Sequence, residues 1–271
     1  MTVELDPVAF ARQIRVHALR MTAAARSSHI GSCLSIADLL AVLYTRILRV
    51  DPSNPRNPDR DRLIVSKGHA AAIVYAALAE RGFIPVSMLD DYCREGSALT
   101  GHISHAVPGV EVSTGSLGHG LPIAVGMALA ARADCRPSRI ICLLSDGECD
   151  EGSNWEAILF APHHKLGNLM AIIDYNKIQS FGRVDEVLDL APFRDKWCAF
   201  GWDTSEIDGH DLNAIETALA VPPLVRGSPR AVIAHTVKGR GVSFMEDKLE
   251  WHYRSVSPEQ LEQAIAEVLK T

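Results

Sequence analysis

The residues from Ile140 to Ser180 constrain this chain more than any other stretch. Ile140-Ile141-Cys142-Leu143-Leu144 is an unbroken apolar run, partly β-branched, of the kind that is buried on both faces of a parallel sheet. It closes on Ser145-Asp146-Gly147-Glu148, and Glu151-Gly152 and a helical pattern through Trp155, Ile158 and Leu159 follow. A second buried run, Leu169-Met170-Ala171-Ile172-Ile173, ends in Asp174-Tyr175-Asn176-Lys177-Ile178. Parallel strands need a crossover, usually a helix. The stretch therefore reads as strand, helix, strand, with an oxygen ligand at the carboxyl end of each strand, the edge where open α/β sheets bind ligands.

The chemistry of that edge is specific. Asp146 offers a hard anionic oxygen, and Asn176 offers a neutral one. Mg²⁺ takes about six oxygens, commonly one or two from carboxylates and the rest from phosphates and water. Gly147 lets a backbone approach a phosphate without a Cβ in the way. The free N–H groups of the helix start favour an anion. A magnesium diphosphate suits these parts.

Asp-Gly-Glu, then Glu-Gly and Trp-Glu-Ala, then Asn176 at this distance resembles the diphosphate-binding signature of thiamine diphosphate enzymes, specifically the transketolases. Ser145 stands where that family normally has Gly, which bears on loop geometry more than on chemistry. The resemblance implies a Mg²⁺ site (open also to Ca²⁺ or Mn²⁺) made by Asp146, Asn176 and the Ile178 carbonyl. It also implies diphosphate contacts from Gly147 and Glu148.

Composition removes other classes. A formal charge of −6, from 27 basic and 33 acidic residues, leaves no basic footprint for nucleic acid. No apolar run approaches the ~20 residues of a membrane span, and the acidic start, Met1 to Asp6, does not read as a signal peptide. Six cysteines without a Cys-x-x-Cys pair read as reduced thiols of a cytoplasmic protein.

Asp6-Pro7 is a helix start, and that helix runs to about Ala25. Residues 27–35 read as a polar loop, with Ser35 and Asp38 as the cap of a helix from Ile36 to Leu48. The resemblance places His29 of this loop over the thiazolium ring. Leu63-Ile64-Val65 is a short strand leading to Ser66-Lys67-Gly68-His69 and an alanine-rich helix to Glu80. Here the resemblance puts His69 at the diphosphate and substrate, and Lys67 reads as a solvated flank charge.

Gly101-His102-Ile103-Ser104-His105 resembles a third histidine loop of the family, with His102 facing the sugar, although Ile103 and Ser104 depart from its usual Pro and Glu. Gly115, Ser116 and Leu117, ahead of a helix of small residues to Ala133, fall where the family cradles the aminopyrimidine. His119 sits where Gln is common.

A short helix from Leu190 to Gly201, a strand from Trp202 to Ile207, a helix from Leu212 to Ala220 and a strand at Ala231–Ala234 follow. Then Thr236-Val237-Lys238-Gly239-Arg240-Gly241 with Trp251-His252 resembles the family's lid, in which His252 and Lys238 lie at the diphosphate. Tyr253 replaces a Gly. A C-terminal helix starts at Ser257-Pro258. Five buried strands alternating with helices give an α/β fold: a doubly wound, mostly parallel sheet flanked by helices, read as one diphosphate-binding (PP-type) domain over 1–271 with a lid and helix from about 236.

The resemblance implies ketol transfer. A two-carbon unit passes from a ketose or ketose phosphate to an aldose through a dihydroxyethyl adduct of thiamine diphosphate. His29, His69, His102 and His252 manage protons, as their ordinary titration range allows. No pyrimidine-binding domain is recognisable in these 271 residues. The expectation is thus the N-terminal subunit of a split transketolase, completed as α₂β₂ by a chain carrying the pyrimidine-binding and C-terminal domains, with Glu151 linking to the partner's carboxylate. A half of a deoxyxylulose-phosphate synthase or of a 2-oxoacid dehydrogenase E1, a non-catalytic cofactor-binding paralogue, and an Mg²⁺-dependent phosphatase remain open at this point.

Overall fold

The computed structural model describes residues 5–220 and 227–270, so residues 1–4 of the acidic N-terminus lie outside it. Its frame is one sheet of β1 (Arg62–Val65), β2 (Ile140–Ser145), β3 (Leu169–Tyr175), β4 (Asp203–Asp208) and β5 (Arg230–His235). All pairs are parallel, in the order β1-β2-β3-β5-β4. Ser145 pairs with Asp174 and Tyr175 with His235, so the central strands end level with one another.

The period of two along each strand sorts its side chains between two cores. Leu63, Val65, Ile141, Leu143, Ile172 and Val232 face one core. That core takes in α1 (Pro7–Ala25), α2 (Ile30–Leu34), α3 (Ala37–Val42), α4 (Ala71–Arg81), α9 (Leu212–Ala220) and α10 (Pro258–Val268). Ile64, Cys142, Leu144, Ala171, Ile173 and Ile233 face the other. There α5 (Gly120–Ala133), α6 (Gly152–His163), α7 (Val184–Val187) and α8 (Phe193–Ala199) contribute. Helices on both faces make the sheet doubly wound, as the alternation predicts. No helix among the described residues is long and apolar enough to cross a membrane.

Three local expectations change. The stretch 27–35 is not a polar loop to its end, because Ile30–Leu34 forms the buried helical turn α2. Ser35 is not a helix cap, since its hydroxyl hydrogen-bonds Asp174 at 2.8 Å, and Asp38 pairs with Arg15. The helix expected from Ile36 to Leu48 is two pieces: α3 ends at Val42 and a wider π turn covers Leu43–Ile47. Thr45 bonds back to the Ala41 carbonyl at 2.7 Å and competes with the regular ladder there. The helix of small residues, α5, opens at Gly120, after the 115–117 segment.

At the amino end of the sheet, Asp61 fastens β1 to β2. Its carboxylate is fully buried and accepts hydrogen bonds from the Arg49 and Arg139 side chains and backbones. Burial pushes its pKa up, but those donors outweigh it and hold the group at about 2, against 3.8 for an ordinary Asp. A depressed pKa stabilises the fold above pH 4 and loses that contribution as pH falls towards 2. Asp61→Asn is therefore expected to lower stability at pH 7 by about 2 kcal/mol in urea unfolding, with the gap to wild type closing between pH 4 and pH 2. A gap independent of pH would assign the loss to packing instead.

Candidate active site at the carboxyl edge of the sheet

Three strand ends converge on one buried ion pair. Lys67, just past β1, and Asp174, in the last turn of β3, are both fully buried and in direct contact. Lys67 also donates to the Ser32 carbonyl at 3.1 Å. Asp174 accepts further hydrogen bonds from Ser35, from Asn176 at 3.0 Å and from Thr236, just past β5. Burial would raise the Asp174 pKa, yet Lys67 and the hydroxyls outweigh it and the carboxylate stays ionised below its ordinary value. The reading of Lys67 as a solvated flank charge is thus corrected. An apolar strand end delivers the ammonium inward, and the only stable place for it there is against a carboxylate.

Above this pair opens a cleft. His29, His69, His102 and His252 come from four separate segments, and all line it. The His29 ring centroid is 5.2, 5.8 and 5.0 Å from those of His69, His102 and His252. His29 takes a left-handed φ of 76°, a conformation that non-glycine residues rarely adopt. Its N–H donates to the His252 carbonyl at 2.9 Å, which ties the first histidine segment to the last. The His102 carbonyl accepts from Tyr75 and Thr100 at 2.9 and 2.7 Å. A Cβ on Gly115 would stand 2.9 Å from the His102 ring, so that glycine is what lets the ring lie flat against the chain.

The oxygen donors occupy the floor. Asp146 is 1% exposed, and burial and Asp174 push its carboxyl up to about 6, while Gly147 and Lys177 N–H groups oppose the rise. Lys177 adopts a left-handed φ of 67°, which turns its N–H onto Asp146 and the Ile178 N–H onto the Asn176 oxygen at 3.1 Å. The Ile178 carbonyl accepts from Lys238 Nζ at 3.0 Å, and Lys238 meets His252 Nδ1 at 2.9 Å. Burial and Lys67 bring Lys238 down to about 8. Burial first, then nearby cations, lowers His29 to about 4 and His252 to about 3, and takes His69 down as well. These three are neutral imidazoles at pH 7.

The remaining sequence-predicted residues sit around this core. Gly115, Leu117 and Gly147 line the cleft, Ser116 and Glu151 are exposed, and so is His119. Glu148 is fully buried beneath the cleft and accepts from Ser66 and, at 3.0 Å, from the Gly118 N–H. It shapes the 115–120 segment from below. Gln179 and Ser180 also line the cleft, and Tyr253 reaches across to donate to the Ser180 carbonyl at 3.0 Å. Sequence reasoning missed Asp174, Ser35 and Thr236. The available signal was a carboxylate closing an otherwise apolar strand.

A doubly wound parallel sheet with histidines, a lysine and hard oxygen donors gathered at its carboxyl edge defines a phosphate-handling α/β enzyme class. The family model described as "Transketolase, thiamine diphosphate binding domain" matches residues 8–267, and the chain belongs to that family. It is 44% identical over 243 residues to the 6-deoxy-6-sulfo-D-fructose transketolase subunit SqwG of Clostridium sp. (strain MSTE9), covering 89% of this chain and 88% of that one. It is 43% identical over 244 residues to an apulose-4-phosphate transketolase subunit of Phocaeicola vulgatus, covering 90% and 87%. Among solved structures, transketolase from Leishmania mexicana superposes with a TM-score of 0.91 at 29% identity, over 97% of this chain and 41% of that one.

The ion pair beneath the cleft gives a direct test. Lys67→Met leaves the Asp174 carboxylate buried without its cation, which typically costs about 3–5 kcal/mol. The urea midpoint should fall accordingly at pH 7. An unchanged midpoint would show that the pair does not hold the strand ends together.

Proposed function

We propose that this chain is the amino-terminal, diphosphate-binding subunit of a two-chain transketolase that moves a two-carbon ketol unit from a ketose or ketose phosphate to an aldose. The partner in this reading carries the pyrimidine-binding and C-terminal domains, the assembly is α₂β₂, and it works in the cytoplasm. The carrying observation is the meeting of four histidines from four segments over a floor of buried oxygen donors. The two-way coverage of relatives named as transketolase subunits supports the two-chain form.

The residues fit a metal diphosphate. Asp146 is a buried carboxylate with Asp174 as an anionic neighbour, so a divalent cation there relieves both burial and repulsion. In this reading Asp146, Asn176 and the Ile178 carbonyl hold Mg²⁺, Ca²⁺ or Mn²⁺, an all-oxygen set suited to hard cations. Lys238, His69, His252 and the Gly147 backbone hold the diphosphate, and the 115–117 segment holds the ring end. The chemistry that thiamine diphosphate supplies when bound is cleavage of the carbon–carbon bond next to a ketose carbonyl.

The protein's own part is placement and proton handling. His29 has Nδ1 within 3.1 Å of the Ser28 hydroxyl, which leaves Nε2 for a substrate oxygen. As a neutral imidazole it accepts a proton from a sugar hydroxyl without first losing one. His102, exposed and lining the cleft, orients the sugar in this reading. Glu151, exposed beside Gly118, faces the partner.

Mixed with its partner chain, thiamine diphosphate and Mg²⁺, the protein should catalyse ketol transfer, and Asp146→Ala should abolish it. Thiamine diphosphate with Mg²⁺ at a hundredfold excess over Kd should stabilise the wild-type assembly by about 2.7 kcal/mol in thermal unfolding. Absence of any shift from the pair would sink the cofactor reading. His29→Ala and His102→Ala should each lower kcat or raise donor KM by about 10²-fold while cofactor affinity stays within a few-fold. Equal loss of cofactor binding would move those histidines to the diphosphate.

A further inference from the structure

A second recess lies between α1, α3, the turn after β4 and the 240–241 turn. It shares no lining residue with the cleft. Arg12, Arg15 and Arg240 bring three guanidiniums to it, with Asp38, His210 and Gly241. Asp38 is the one carboxylate among its described lining residues, and it is already fully engaged. Arg15 grips it with two hydrogen bonds of 2.9 and 2.6 Å. His210 adds Nδ1 at 2.7 Å, while its Nε2 accepts from the Val237 N–H at 2.8 Å. That acceptor role fixes His210 as the neutral Nδ1–H tautomer, so Arg15 and Asp38 cancel in charge.

Arg12 is left over, and Arg240 is only loosely matched. Arg240 is 3.5 Å from Glu246, whose oxygen already takes the Gly241 N–H at 3.0 Å, and its side chain is 46% exposed. The Nε–H groups of Arg12 and Arg15 are buried without a hydrogen-bond partner among the described residues, and Arg15 is 6% exposed. A Cβ built on Gly241 would stand 3.7 Å from Arg15 Nε, so this glycine is the wall of the recess nearest that N–H. Buried donors call for an acceptor. Arg12, with no carboxylate partner among the described residues, calls for an anion, and planar guanidinium forks match tetrahedral phosphate oxygens.

We propose that this recess is a second oxyanion site for a phosphate group, held chiefly by Arg12, Arg15 and Arg240. It is independent of the cofactor cleft. The test is calorimetric titration of the full chain with inorganic phosphate, with ionic strength held constant by chloride. Wild type should bind saturably, and Arg12→Gln and Arg240→Gln should each weaken binding by about tenfold or more. The cleft variant Lys238→Ala, or His69→Ala where that one fails to fold, should stay within about twofold of wild type. Arg240 is exposed and Arg12 half-buried, and circular dichroism melts verify that their variants remain folded. A parallel titration with glycerol 1-phosphate separates sources: tighter binding assigns the site to phosphate monoesters, equal or weaker binding to free phosphate, and both support it. No saturable binding at millimolar phosphate, arginine variants that bind like wild type, or loss of binding in the cleft variant would overturn the proposal.

Discussion

The Lys67–Asp174 pair is the interaction on which the rest of the site depends. Each partner is fully buried, and an isolated charge there would be strongly unfavourable. Together they gain little net stability over a well-packed apolar pair, since desolvation offsets much of the attraction. What they gain is position. Asp174 takes hydrogen bonds from Ser35, Asn176 and Thr236 as well as Lys67, so one carboxylate fixes the exits of β1, β3 and β5 and the turn before α3. Asn176 in particular has its amide nitrogen committed to Asp174, which leaves its oxygen to accept the Ile178 N–H.

The same pair organises the field above it. Burial is the main cause that lowers His29, His69, His252 and Lys238, and the Lys67 charge adds to it in each case. Asp174 does the converse to Asp146. The cleft therefore holds a carboxylate that favours a cation and, a few residues away, a lysine and imidazoles that favour an anion. A ligand of one sign would relieve half of this arrangement. A cation and an anion bound to each other relieve all of it, which is the electrostatic case for a metal diphosphate.

How much of this was legible in the sequence follows from range. The sheet was readable because each buried strand carries its own signal, and Asp146 because it closes one of them, whereas the four histidines were legible only through the resemblance of their segments to the family's. What joins them was not. Lys67 and Asp174 are 107 positions apart, and their partnership exists only once β1 and β3 are laid on either side of β2. Ser35 has the residue type and place of a helix cap, and local rules assigned it there. Tertiary demand from a buried carboxylate overrode the rule. The broken helix after Val42 went unseen for a related reason, since apolar periodicity is the same for an α turn and a slightly wider one.

The lid segment shows how such a site can keep its frame and change its reach. Residues 236–253 are held mostly by main-chain contacts: Gly239 N–H to the Gly31 carbonyl at 3.0 Å, Asp247 N–H to the Lys238 carbonyl at 2.9 Å, and the His252 carbonyl to His29. Gly239 is indispensable to this, because its φ of +81° suits glycine and a Cβ would fall 2.5 Å from the Met245 carbonyl. Side chains that project from such a backbone can vary without disturbing the anchor points. Tyr253 is one of these, 58% exposed with its hydroxyl on Ser180 at the cleft rim. The position can therefore alter the width of the mouth while Lys238 and His252, fixed from behind, keep their places over the floor.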